Sequence, residues 1–150
     1  MAAPNTLPVY SRVGDIQWGA ADGDGGAAGP LKTANTARDG TGTVLTIFTA
    51  DATNGGRVER ISARAVGTNT ASVLRVFINN GSTNATIANN TLITEATLAA
   101  TTLSEVAQLA DVTISGTPFP LVLPPGYKLM VTLGTTVAAG YRVTAYGGKY

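Results

Sequence analysis

Residues 71–79, with the sequence ASVLRVFIN, are the stretch that decides the fold. Side chains alternate across a β-strand, so an alternating apolar pattern marks a strand with one face in a core. The even-numbered apolar residues share one face: Leu74, Val76 and Ile78. The odd-numbered residues share the other: Val73, Arg75 and Phe77. Asn79-Asn80-Gly81-Ser82 then supplies residues typical of a hairpin turn. The stretch therefore predicts a strand that turns back on itself.

Short β-branched runs separated by Gly, Asn and Pro turns continue on both sides of this strand. They predict further strands at residues 44–50, 57–66, 91–98, 105–115, 119–123, 128–134 and 141–146. Residues 99–110 also contain good helix formers, but the run Val112-Thr113-Ile114 favours a strand there. We predict an all-β fold, an antiparallel, jelly-roll-like β-sandwich of about eight strands.

The alternation in these strands also predicts the core. The residues expected to be buried are Leu45, Ile47, Leu74, Val76, Ile78, Leu129, Val131, Leu133 and Val143. Phe48 and Phe77 are expected either to be buried or to face a partner.

Residues 1–42 differ in composition from the predicted sandwich domain at 43–150. They are rich in Gly, contain few β-branched residues and predict a flexible N-terminal arm. The arm carries the only Trp of the chain, within a short apolar island. The candidate partner-binding residues are Val9, Tyr10, Val13, Ile16 and Trp18. Packing of Trp18 on the flank of its own domain is an equally open interpretation.

Composition excludes several classes of partner. Ten basic and nine acidic residues give a net charge of +1, and the cations are scattered singly along the chain, so we expect no nucleic-acid partner. No apolar stretch is long enough for a membrane span, and no signal peptide is recognisable, so we expect no membrane partner.

Chemistry is equally restricted, because the chain has no His and no Cys. The abundant hydroxyls therefore have no imidazole to activate them, and we expect no enzyme, no catalytic residues and no cofactor. Asp22 and Asp24 lie in a Gly-rich run that resembles a calcium loop, but Thr33 stands where the Glu ligand is needed, so no metal site is predicted. An alternative is a sugar-stacking platform, formed by Tyr127, Tyr141, Tyr146 and Tyr150.

Three groups of residues resemble small structural proteins of tailed bacteriophages. They are residues 33–50 (TANTARDGTGTVLTIFTA), residues 73–81 (VLRVFINNG), and residues 121–127 (LVLPPGY) with 141–148 (YRVTAYGG). The resemblance covers residues 33–150 and consists of strand and turn signatures, so it transfers no site residues.

The resemblance implies a capsid decoration (cement) protein with a jelly-roll body. Such a protein is made in the host cytoplasm and located on the capsid surface of the virion. There it binds the major capsid protein and stabilises contacts between shell subunits. It also implies association with itself as a dimer or trimer. The alternative is a phage tail or fibre adhesion module that binds a host-surface carbohydrate.

Overall fold

The computed structural model describes residues 15–18 and 29–150. These residues form nine strands and a single 3-10 turn at Ile87–Asn89, and no helix among them is long and apolar enough to cross a bilayer. The strands are β1 (Asp15–Gln17), β2 (Leu45–Thr49), β3 (Gly56–Ala65), β4 (Ser72–Asn79), β5 (Asn90–Leu98), β6 (Asp111–Ile114), β7 (Leu121–Leu123), β8 (Lys128–Leu133) and β9 (Tyr141–Lys149).

Two antiparallel sheets pack face to face, which confirms the predicted all-β sandwich. Sheet A has the order β1-β9-β3-β6, and β7 also pairs with β3. Sheet B has the order β2-β8-β4-β5. The pairs β4–β5, β3–β6, β2–β8 and β1–β9 are nested, so that each pair encloses the previous one along the sequence.

The strand expected at residues 105–115 is shorter than the sequence indicated. Only Asp111–Ile114 pairs with β3, and residues 99–110 form neither the expected strand nor the helix that was the other option. The hydroxyl of Ser104 accepts hydrogen bonds from the backbone N–H groups of Val106 and Ala107 at 3.2 and 3.0 Å. This local turn competes with strand pairing for the same backbone groups.

The core lies between the sheets and contains the residues that alternation predicted. All nine expected core residues pack there, although Leu45 and Ile78 are only partly buried. A bulge in β2 between Thr46 and Phe48 shifts the register. It allows Ile47 and Phe48, which are consecutive in sequence, both to be fully buried.

Leu31 bridges Tyr141 of sheet A, and residues 34–43, called the covering segment below, cross the outer face of sheet B. The backbone carbonyl of Asn35 accepts a hydrogen bond from Arg75 at 3.1 Å, and the side-chain amide of Asn84 donates to the carbonyl of Gly42 at 2.8 Å. Gly40 has a φ of +78°, and a Cβ there would lie 3.2 Å from the ring of Phe77. The close approach therefore requires glycine, and Phe77 is completely buried.

This packing bears on the predicted arm at residues 1–42. The covering segment, expected to be flexible, contacts Arg75 and Phe77 on the outer face of β4. Five outward-facing side chains of β4 and β8 are buried. Those buried side chains are Arg75, Phe77, Asn79, Met130 and Thr132. Residues 1–14 and 19–28 of the predicted arm lie outside the described residues.

The remaining described part of the arm is β1, the edge strand of sheet A. Ile16 is paired with Tyr146, and Gln17 with Ala145. The side chain of Gln17 is fully buried, and its carbonyl oxygen accepts a hydrogen bond from the backbone N–H of Thr49 at 2.8 Å. Gln17 therefore joins the edges of the two sheets.

Candidate functional site

The outer face of sheet A concentrates cationic side chains that are distant in sequence. In β3, Val58, Ile61 and Ala63 point into the core, so their neighbours point outward. In β9, which pairs with β3, Val143 and Ala145 point inward. As a result, four of the seven arginines of the chain share this outer face: Arg57, Arg60, Arg64 and Arg142. We call it the arginine-rich face.

Two carboxylates on this face are already engaged by arginines. The side chain of Arg64 lies 3.0 Å from a carboxylate oxygen of Asp111, and the hydroxyl of Ser62 donates to the other oxygen at 2.8 Å. Hydrogen bonds from Arg64 and then Ser62 lower the pKa of Asp111 below its ordinary value, and the nearby charge of Arg60 contributes in the same direction. Asp111 is therefore a fixed anion at neutral pH.

A bulge in β3 sets the position of the next arginines. The register shifts between Val58 and Arg60, so that Glu59 is the extra residue. Glu59 forms an ion pair with Arg57 at 2.8 Å. The guanidinium carbon of Arg60 lies 3.8 Å from the centroid of the Tyr146 ring, in a cation–π contact. The bulge thus lies between Arg57, which binds the carboxylate of Glu59, and Arg60, which stacks on the ring of Tyr146.

Large apolar side chains lie beside the charged residues of this face. Ile16, which pairs with Tyr146, is 52% exposed. Trp18 follows the inward-facing Gln17 and is 42% exposed, while Val122 pairs with Arg57 and is 58% exposed. Exposed aromatic and aliphatic groups beside arginines have the composition of a protein-binding surface, in which arginine and aromatic residues are enriched.

Two of the five predicted partner-binding residues belong to the described part of the chain. Ile16 and Trp18 lie on the arginine-rich face, whereas Val9, Tyr10 and Val13 lie outside the described residues. Sequence reasoning missed the arginines, because it treated them as scattered singly. Their signal is that Arg60 and Arg64 alternate with apolar residues of 57–66, as Arg142 does within 141–146. Recognising a shared surface also requires knowing that β3 and β9 are neighbours.

The expected tyrosine platform does not form. Tyr141 belongs to the inward face of β9, is almost completely buried, and donates a hydrogen bond from its hydroxyl to the carbonyl of Ala99 at 3.2 Å. Burial raises its pKa. Tyr127 packs against the core, and the hydroxyl of Tyr150 is buried. Tyr146 is the member of the four that lies on the arginine-rich face.

The carboxylates of the described chain are distributed rather than paired. Glu59 and Asp111 bind different arginines on sheet A, while Glu95 binds Arg75 on sheet B at 2.9 Å. Within residues 15–18 and 29–150, no group of three or more metal-ligating side chains comes together. This arrangement can bind charged and aromatic surfaces.

A groove lies at the edge of sheet B. Residues 29–33 and 43–45 line a groove of about 290 Å³, in which Lys32 is the only charged lining residue. The walls are otherwise provided by apolar side chains, Thr hydroxyls and backbone. The groove lacks the combination of arginines and aromatic rings that characterises the arginine-rich face.

Comparison with known proteins does not extend these observations. No family model, no curated protein and no solved structure matches the chain.

Proposed function

We propose that the chain is a non-catalytic structural protein of a phage virion, which binds the outer surface of the capsid and stabilises contacts between shell subunits. The observation that carries the proposal is the arginine-rich face, an open sheet surface with exposed Ile16 and Trp18 beside four arginines. Four stretches of the sequence that resemble tailed-phage structural proteins support the same proposal. We also propose that the sandwich is a jelly roll, and the nested strand pairing supports this.

The composition of the face suits binding to a protein. Arginine and tryptophan are among the residues that contribute most to interface energies, and they are most effective near the centre of a contact. The ring of Tyr146 holds Arg60 in place, so less side-chain freedom is lost when a partner binds. These side chains project from β3 and β9, which are paired along most of their length.

The proposed partners are the major capsid protein and further copies of this chain. A shell repeats its subunits by symmetry, so copies on its surface would meet around its axes as dimers or trimers. A protein that binds only the assembled shell stabilises it by mass action. The protein would be made in the host cytoplasm and reside on the capsid surface.

Co-sedimentation with shells assembled from the major capsid protein of the same phage tests the proposal. Ile16→Ala should weaken binding about tenfold, equivalent to about 1.4 kcal/mol. Ile87→Ala is the matched control, because Ile87 is also exposed, at 61%, but lies in the 3-10 turn away from the arginine-rich face. Failure of the unaltered protein to sediment with shells would refute the proposed function.

The second candidate function is a phage tail or fibre adhesion module that binds a host-surface carbohydrate. The exposure of Trp18 and the partly exposed ring of Tyr146 favour it, because aromatic rings stack on sugars. Titration with cell-surface oligosaccharides, followed by Trp fluorescence, distinguishes the two functions. A saturable change that Trp18→Ala abolishes, together with no shell binding, would favour adhesion.

A further inference from the structure

We infer that the arginine-rich face recognises an acidic protein surface and that Arg60 receives a carboxylate of the partner. This inference rests on the proposed function and deepens it, because it specifies the chemistry of the surface to which the face binds.

Among the described residues, this face carries an excess of positive charge. Four arginines and two carboxylates, Glu59 and Asp111, leave a surplus of two positive charges there. The other charged side chains of residues 29–150 are five cations and four carboxylates, which nearly cancel. An acidic partner is therefore attracted to this face, which helps to orient the encounter.

Arg60 differs from its neighbours in how it is held. Arg57 and Arg64 are each bound to a carboxylate of the same strand or of the adjacent one. No ion pair to Arg60 occurs within the described parts of the chain; its recorded contact is the stack on Tyr146. Stacking fixes the plane of a guanidinium and leaves its N–H edge available for two parallel hydrogen bonds to a carboxylate.

The chain's own carboxylates on this face are occupied. Asp111 accepts hydrogen bonds from Arg64 and Ser62, and Glu59 binds Arg57. They therefore do not satisfy Arg60, although they lie on the same sheet. The β3 bulge, which is needed to align Arg60 with Tyr146, is a feature that proteins often place next to functional sites. These observations together identify Arg60 as the contact for an external anion.

Charge reversal provides the test. Arg60→Glu should weaken binding to shells by about tenfold or more and should make the remaining affinity less sensitive to salt. Arg38→Glu is the matched control, since Arg38 is 67% exposed and lies on the covering segment over sheet B. Arg38→Glu should change affinity less than about twofold. Arg60→Gln, which removes the charge without reversing it, should give an intermediate loss at an unchanged melting temperature.

A probe that does not require shells separates this inference from the proposed function. Hexaglutamate should perturb the NMR signals of Arg60 and Tyr146, and Arg60→Glu should abolish the change. That result without shell binding would support the acidic-surface inference and refute the capsid function. Shell binding unaffected by Arg60→Glu would refute the inference and leave the capsid function standing. Tighter binding of a single-stranded oligonucleotide at the same residues would overturn it in favour of nucleic acid.

Discussion

The outer faces of the two sheets differ in whether another described segment of the chain covers them. On sheet B, the covering segment buries Phe77 and Arg75. On sheet A, Tyr146 and Arg60 occupy comparable outward positions in central strands, yet no segment of the described chain crosses them, and they form a stacked pair at the surface. One face is therefore used to stabilise the fold, while the other remains available to a partner.

An outward arginine and an outward aromatic ring do not by themselves mark a binding surface. The strand β4 carries Arg75 and Phe77 on one face, just as β3 and β9 together carry Arg60 and Tyr146. The two pairs differ because the covering segment lies over Arg75 and Phe77, and its Asn35 carbonyl accepts a hydrogen bond from Arg75. The difference can be tested by comparing equivalent substitutions on the two faces.

The largest difference is expected for the aromatic residues. Phe77→Ala should lower the free energy of unfolding by about 3–5 kcal/mol, because it opens a cavity beneath the covering segment. Tyr146→Ala should cost less than about 1 kcal/mol, because its ring is partly exposed. Urea denaturation of both variants measures the contrast. Equal losses would show that the covering segment does not remain on sheet B in solution.

The next contrast concerns two arginines that share one carboxylate. Arg75, whose side chain is 7% exposed, lies 2.9 Å from Glu95, whereas the exposed Arg38 approaches the same carboxylate at 3.5 Å. Arg75→Ala leaves Glu95 and the carbonyl of Asn35 without this donor and should cost about 2–3 kcal/mol. Arg38→Ala should cost less than about 0.5 kcal/mol. Similar melting temperatures for the two variants would argue against the buried role of Arg75.

The sequence predicted some features of these faces and missed others, because a pattern within one strand reports only on residues near each other in the sequence. Alternation within a strand is local, and it correctly assigned Leu74 and Val131 to the core. The covering segment was not predicted, because its Gly-rich composition contains no periodicity. Its order depends on contacts with residues more than thirty positions away, such as Gly40 with Phe77.

The candidate site shows the same limit. Ile16 and Trp18 were identified because they are apolar residues in a polar segment. The arginines share one surface because β9 pairs with β3, which brings residues 57–64 beside residues 142–146. Strand order is a property of the whole chain, and a single sequence contains no local pattern that specifies it.

A smaller effect is expected where the edges of the two sheets meet. Gln17→Ala removes the acceptor of the Thr49 N–H and should cost about 1–2 kcal/mol. It should also accelerate hydrogen exchange at Thr49. Ile16→Ala, at the adjacent outward position, should leave that exchange rate unchanged. Unchanged exchange in Gln17→Ala would mean that β1 does not fasten the edge of β2.

The smallest effect concerns one carboxylate on each face. Hydrogen bonds lower the pKa of Asp111 on sheet A and of Asp39 in the covering segment, below their ordinary value of 3.8. A pKa that is lower in the folded state stabilises the fold above the unfolded value, and this contribution is lost as the pH falls through the folded value. Stability should therefore decline below about pH 4, and Asp111→Asn or Asp39→Asn should each reduce that decline.

Salt distinguishes the two carboxylates. The partners of Asp111 are the charged Arg64 and the neutral Ser62, whereas Asp39 accepts hydrogen bonds from the backbone and hydroxyl of Thr41. In about 1 M salt, where the Debye length is about 3 Å, the charged contribution should weaken. The effect of Asp111→Asn on the acid decline should then shrink, while that of Asp39→Asn should persist. Melting temperatures between about pH 2 and 6 at low and high salt measure this. An equal response to salt would show that the ion pair with Arg64 does not contribute to holding the pKa of Asp111 down.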